Sequence, residues 1–366
     1  MLNARVWLLV GLFASLNFMD YGNTPDPFRD GKIRYLMLTL VPGSFCFFRK
    51  RLTFGPAYFA ALALFGFTVR DFMLFSTMPI ILIFAVMGAA VACVELGKDT
   101  FARLLVAGGV FQAALALLQV CGIHILTGAP VIPEALHKPF GLWGHETVLG
   151  PFLVSCLAAA LWRERWVSSL LILVAILSTV STMTYAALGA VLALFIWHRS
   201  SFFYAFLACL LGAIALGVGF LIAPDHPVLS VNGRGVIWKY VWEALKAKPV
   251  WGYGPGAWAA KIMPTYYKQY AVELRTLPLN MHMDYLEFLV AYGVVGAVPM
   301  AAAGGLFLRN FRPTWTHAVC VGLLVNALGN FPFCLPPLAL IFVVCWAHSM
   351  RRDILDGNKM GDLWSQ

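Results

Sequence analysis

The sequence predicts an all-α, polytopic membrane fold of about twelve transmembrane helices with one long structured periplasmic loop. Three observations predict it. The mean hydropathy is +0.79, and 61% of the 366 residues are hydrophobic while only 12% are charged, against roughly 25% charged in soluble domains. The apolar residues come in blocks of about 15 to 25, the length of helix that crosses roughly 30 Å of hydrocarbon. Alternation with a period of two is absent, which argues against the closed barrel that a lipid-facing sheet would require.

The blocks fall near residues 6–22, 33–48, 54–69, 72–94, 101–123, 146–162, 166–178, 184–197, 202–223, 284–308, 315–330 and 335–350. The first, after Arg5, reads as an anchor rather than a cleaved leader, because no small-x-small cleavage site follows and a second block comes soon after. An even number of spans puts both termini on one side. The short loops on that side carry Arg49, Lys50, Arg51, Lys98, Arg103, Arg163, Arg165, Arg199, Arg309 and Arg312, and the tail adds Arg351, Arg352 and Lys359. Opposite short loops hold only Arg29, Lys32, Arg34, Arg70 and Lys138. Lys and Arg concentrate in cytoplasmic loops, so both termini are expected on the cytoplasmic side. Residues 166–197 are too long for one helix, and their polar centre Ser178, Thr179, Ser181, Thr182, Thr184 predicts a turn or re-entrant break.

The expected organisation is membrane helices over 1–223, a periplasmic loop over 224–283, further membrane helices over 284–350 and a cytoplasmic tail over 351–366. A loop this long is uncommon unless it has a task. Within it Arg234 to Lys248 reads as an amphipathic helix: Ile237, Val241, Ala244 and Leu245 share one face, Lys239, Glu243 and Lys246 lie opposite, Asn232 is placed to cap and Pro249 to stop.

The net charge of +9 is largely topogenic and carries no nucleic-acid motif. The eight cysteines are scattered through apolar blocks without a C-x-x-C pair, as buried thiols are. In the long loop Arg234, Lys239, Lys246, Lys248, Lys261, Lys268 and Arg275 outnumber Asp225, Glu243 and Glu273. An anionic ligand such as phosphate fits that surplus, since Arg binds it as a bidentate fork; headgroup attraction and simple solvation fit it too. Trp238, Tyr240, Trp242, Trp251, Tyr253, Trp258, Tyr266, Tyr267 and Tyr270 are interleaved with the cations, a composition that suits both an interfacial belt and the apolar faces of sugar rings.

His282 is the sharpest single residue. It stands where the loop re-enters the membrane, in Asn280-Met281-His282-Met283-Asp284-Tyr285-Leu286-Glu287. A place on the first turn of the next helix, with Asn280 as cap, would favour the neutral imidazole that accepts a proton. A second outer segment, Lys138-Pro139-Phe140-Gly141-Leu142-Trp143-Gly144-His145-Glu146, brings the cation Lys138 and the carboxylate Glu146 to the mouth of the following block; either also suits an interfacial anchor.

Taken in order, Gly233-Arg234-x-x-x-Trp238, Pro249-Val250-Trp251-Gly252-Tyr253-Gly254-Pro255-Gly256, His282-x-Asp284-Tyr285-Leu286-Glu287 and Tyr292-Gly293-Val294-Val295-Gly296 resemble the superfamily of O-antigen ligases and Wzy-type polymerases, which includes protein O-oligosaccharyltransferases. Upstream, Gly141 to Gly150 is similar to the start of a middle helix in that family. The resemblance implies an inverting, metal-independent glycosyl transfer with no cofactor. The donor it implies is a glycan on undecaprenyl pyrophosphate, and the acceptor is a hydroxyl of lipid A-core, protein or growing polysaccharide. Carried over, His282 is the base and Arg234 a pyrophosphate ligand; one phosphate-binding arginine of the family is missing here, with Lys138, Arg70 or Arg275 as its expected substitute. Trp238, Tyr253, Tyr285 and Glu146 are then expected to meet glycan or acceptor. The sequence departs from the family at Met283, where an Asn commonly follows the His, and at Ala291-Tyr292, where an acidic residue is common. It departs again at Ser181-Thr182, where the family has Ser-Arg.

A transporter or flippase for a lipid-linked glycan is the alternative. Such proteins carry ionisable groups at mid-bilayer, whereas here Asp20, Asp71, Glu95 and Glu146 lie near block ends and the deep polar residues are Gln112, Gln119 and Asn326.

Overall fold

The computed structural model describes residues 97–123, 139–204, 206–207, 234–253, 283–335 and 337–349. Among these the structure is helical, with no strand. In chain order, α1 is Lys98–Val120, α2 Glu146–Trp162, α3 Trp166–Ser178, α4 Thr182–Arg199, α5 Arg234–Ala247, α6 Asp284–Arg309, α7 Trp315–Asn326 and α8 Pro337–Ser349, with a 3-10 turn at Pro332–Cys334 before α8. The spans expected within 1–96 and the tail lie outside the described residues.

Helix α2 is the centre of the bundle: every residue from Val148 to Leu161 is buried. It packs against α1, α3, α4 and α7, and α4 packs on α7. A helix apolar all round has no wet face and must be enclosed. Close packing is achieved with small residues, as between helices that share an apolar solvent. A Cβ on Gly150 would stand 2.0 Å from Oγ1 of Thr184 on α4, and one on Gly109 of α1 would stand 2.4 Å from Cβ of Cys156. Pro151 interrupts the α2 ladder, and the Ser155 hydroxyl donates to its carbonyl at 2.8 Å.

The expected break near 178–182 is present. Helix α3 ends at Ser178 and α4 begins at Thr182, and between them Val180 takes φ 49°. That left-handed conformation costs a β-branched residue about 1–2 kcal/mol, and the buried Thr179 and Ser181 flank it.

The outer surface of this bundle is apolar. On α3, Trp166, Val167, Leu170, Val174 and Leu177 are exposed, and so are Val294, Val295, Val298 and Leu308 on α6. Exposed apolar stripes of this kind mark a surface that meets membrane or another protein. By length and composition one described helix, α1, can cross a membrane unaided; α6 qualifies only as a broken pair, Asp284–Val298 and Met300–Arg309, bent by 65°. Helices α2, α3, α7 and α8 are apolar but shorter. The block at 284–308, expected as one span, is thus two segments, and its first segment contains a further irregularity at Gly293.

Charge sorts to one end of the bundle. Arg163 pairs with Asp99 at 2.7 Å, Arg199 pairs with Glu164, and the Lys98 ammonium stands 5.9 Å above the Trp315 ring. Trp162 Nε1 donates to the Pro313 carbonyl, and Phe307 near the end of α6 stacks on Trp346 of α8. Lys98, Arg163, Arg199, Arg309 and Arg312, all assigned by sequence to the same side, meet here. The opposite end holds the start of α2, the α3–α4 break, the start of α6 and the end of α7.

Candidate functional site

Three structural units gather at that opposite end. The first is the stretch Phe140-Gly141-Leu142, held by two glutamines of α1. Gln119 accepts from the Phe140 and Gly141 amides at 3.0 and 2.8 Å and donates to the Gly141 carbonyl at 3.0 Å. Gln112, seven residues earlier and so on the same helix face, accepts from the Leu142 amide at 2.9 Å. Both side chains are buried. Their polarity deep in an apolar helix, noted in the sequence without a partner, is therefore spent on the backbone of a loop. Polar groups in such a position need a partner, and seven-residue spacing was the signal that the two share one.

The loop delivers His145 to the N-cap of α2. Its Nδ1 accepts from the Thr147 amide at 3.2 Å, and Glu146 Oε2 lies 3.1 Å from the same nitrogen. Glu146 is therefore partly buried at the first turn of α2, beside an imidazole that is mostly exposed.

The second unit is α5 lying on the first half of α6. Ile237, Val241 and Ala244 bury themselves against Val290, with Trp238, Leu245, Tyr253 and Leu286 packed around. Lys239, Glu243 and Lys246 are exposed, so the amphipathic face read from the sequence is the one that is buried; Tyr240, also buried, was not among those face residues. Arg234 opens α5, with its side chain outside what is described.

The third unit joins the two motifs around Trp251 and Gly293. The Val294 amide donates to the Pro249 carbonyl at 2.9 Å, the Val295 amide to Val250 at 3.2 Å and the Tyr253 amide to Val290 at 2.9 Å. Gly293 leaves the helix (φ 61°, ψ −163°), and in doing so it opens α6 to receive the 249–252 strap. Gly252 also has positive φ, 67°, and a Cβ there would meet Ala291 backbone atoms at 2.6 Å. Lys248 Nζ stands 4.8 Å above the Tyr253 ring.

Trp238 and Tyr253 are thus brought together on one hydrophobic cluster, with Tyr285 on the same helix as their partner Val290. The Tyr285 hydroxyl donates to the Leu324 carbonyl of α7 at 2.9 Å, which ties it to the scaffold. Trp242 and Trp251, by contrast, are largely exposed. His282, Lys138 and Arg275 lie outside the described residues. The described part of this region starts at Met283, the N-cap of α6, which supplies no side-chain cap; the expectations for His282 and Asn280 lie outside the described residues. The buried polar residues to which the sequence reading gave no role are Asp284 and Glu287 on the first turn of α6, Asn326 at the end of α7 and Asn330 just past it. The i to i+3 spacing places Asp284 and Glu287 on one helical face.

Among the described residues, a helical bundle with apolar exposed faces and an amphipathic helix strapped against α6 at Gly293 defines a class of membrane-type helical scaffolds. Residues 166–301, a little over a third of the chain, match the family model described as O-antigen ligase, Wzy_C. The resemblance to the O-antigen ligase and Wzy-type superfamily therefore holds over the stretch that contains the α3–α4 break, α5, the strap and the first half of α6. Proteins of that family are integral to membranes and of the ligase and polymerase kind, so the match supports an enzyme. No curated protein matches the chain.

Proposed function

We propose that this protein is a membrane-embedded, metal-independent, inverting glycosyltransferase of the O-antigen ligase type. It transfers a glycan from undecaprenyl pyrophosphate to an acceptor hydroxyl on the periplasmic face of a bacterial inner membrane, with both termini cytoplasmic and about twelve spans in all. The observation that carries the reading is the interlock of α5, the 249–253 strap and α6, because these are the family's motif segments and they support one another within the stretch matched to the O-antigen ligase model.

The chemistry requires two contributions. The acceptor hydroxyl is a weak nucleophile, and His282 removes its proton as the new bond to the anomeric carbon forms. The bond from that carbon to the pyrophosphate oxygen breaks, and Arg234, assisted by Lys138 and Arg275, stabilises the charge that develops there. Attack opposite the leaving group inverts the anomeric centre. Trp238, Tyr253 and Glu146 line the acceptor or glycan side of the same site.

The test is a strain lacking the native copy that carries His282→Ala or Arg234→Ala. Both variants accumulate in the membrane and the surface glycan is lost; normal accumulation with full glycan attachment would show that the assignment is wrong. Product formation by purified protein in detergent, from lipid-linked donor and acceptor, separates a transferase from a transporter, since no transport is possible there.

A further inference from the structure

The N-terminus of α6 is satisfied in an unusual way. The first four amides of a helix lack internal partners, and Met283 at the N-cap supplies no side-chain oxygen. The Asp284 amide instead donates to two carbonyls from another part of the chain, Ala327 at 3.2 Å and Asn330 at 3.3 Å. In return, Asp284 Oδ2 accepts from the Phe333 amide at 2.9 Å. The next residue adds a fourth tie, the Tyr285 hydroxyl to Leu324 at 2.9 Å. Asn330 is itself fastened to Asn326, Nδ2 to Oδ1, at 3.3 Å.

These ties are costly to build. Asp284 is fully buried, and a carboxylate away from water is retained only when it is hydrogen-bonded. What the ties accomplish is to hold the place where the outer loop becomes α6, from two sides, against the end of α7 and the 3-10 turn. His282 stands two residues before Asp284 in the chain.

We propose that Asp284 and Tyr285 are positioning residues for His282: together they splint the start of α6 to residues 324–333, and so set where the base meets the acceptor hydroxyl. The inference rests on His282 being the base. It also gives Tyr285 a role other than stacking on glycan, through its hydroxyl and not its ring. A displacement of about 1 Å in a reacting group costs on the order of a hundredfold in rate, which sets the scale of the expected effects.

The experiment compares Asp284→Ala, Asp284→Asn, Tyr285→Phe and His282→Ala as purified full-length proteins, with turnover normalised to the monodisperse fraction and KM measured for the lipid-linked donor. Asn retains an oxygen that can accept from the Phe333 amide, and Phe retains the ring of Tyr285. The splint requires that Asp284→Ala and Tyr285→Phe lower kcat about tenfold or more with donor KM unchanged, and that Asp284→Asn recover most of the rate. Tyr285→Phe at the parent rate overturns the inference for Tyr285, and Asp284→Asn as poor as Asp284→Ala overturns it for Asp284. A raised donor KM with kcat intact overturns it as well, in favour of substrate contact. If Asp284→Ala does not fold, Asp284→Asn and Tyr285→Phe decide between these outcomes. His282→Ala with full activity instead removes the underlying reading, an outcome distinct from all of these.

Discussion

A side chain on Gly293 would stand 2.2 Å from the carbonyl oxygen of Val250, nearer than any Cβ can approach. The strap that carries Val250 fills the space where α6 departs from helix, and the same departure frees the Val294 and Val295 amides to bind it. The segments around Val250 and Gly293, distant in sequence, are therefore one structural device.

Gly293→Ala is expected to destabilise the protein by about 1–3 kcal/mol from the backbone conformation alone, and by more from the collision with Val250. Gly304 lies in the second segment of α6 with nothing within 4 Å of its Cβ position, so Gly304→Ala is expected to be neutral or to stabilise by up to about 1 kcal/mol. Thermal melting of the two detergent-purified variants checks the contrast in sign.

Gln119→Leu preserves volume and removes the partner of two amides and one carbonyl. A buried group left unsatisfied costs about 1–3 kcal/mol, so a loss of about 3 kcal/mol or more is expected, read as a lower melting temperature and faster proteolysis near residue 140. An unchanged melting temperature would mean that the loop is held by other contacts.

At the opposite end, Asp99→Asn breaks the pair with Arg163. Asp99 is largely exposed, and exposed pairs contribute about 0–1 kcal/mol. The melting temperature is expected to stay within a degree or two, and raising the salt is expected to act on parent and variant alike.

The orientation is testable by thiol labelling. Lys248 and Glu164 are both exposed, at opposite ends of the described structure. With Cys121, exposed in the parent, replaced by Ser, a membrane-impermeant maleimide is expected to label Lys248→Cys in spheroplasts and to reach Glu164→Cys only after lysis. The reverse pattern would invert the topology and remove the periplasmic site.

Arg234→Lys is expected to retain part of the activity that Arg234→Ala loses. Lysine keeps the charge as a point and forfeits the bidentate fork that matches a phosphate. Equal activity of the Lys and Ala variants in the in vitro transfer assay would argue against a pyrophosphate contact.

Among the described residues the positions of several helices were legible in the chain, because an apolar helix leaves a one-dimensional trace. The blocks at 146–162 and 166–178 coincide with α2 and α3, and the polar centre at Ser178 to Thr184 did mark a break. The face of α5 that would be buried followed from the 3.6-residue period of Ile237, Val241 and Ala244. Such features depend on each segment's own composition and on the solvent around it.

What only the tertiary structure decided is which distant groups satisfy one another. Nothing local to Gln112 and Gln119 names the backbone of Phe140 to Leu142 as their partner, and nothing local to Asp284 names Phe333. Block 284–308 has the composition of an uninterrupted span, yet its first segment departs from helix at Gly293, where a strap from elsewhere in the chain packs against it. Hydrophobic length is a sum over neighbours in sequence, whereas a buried polar group must find a partner in space, and that pairing is settled only when the helices pack.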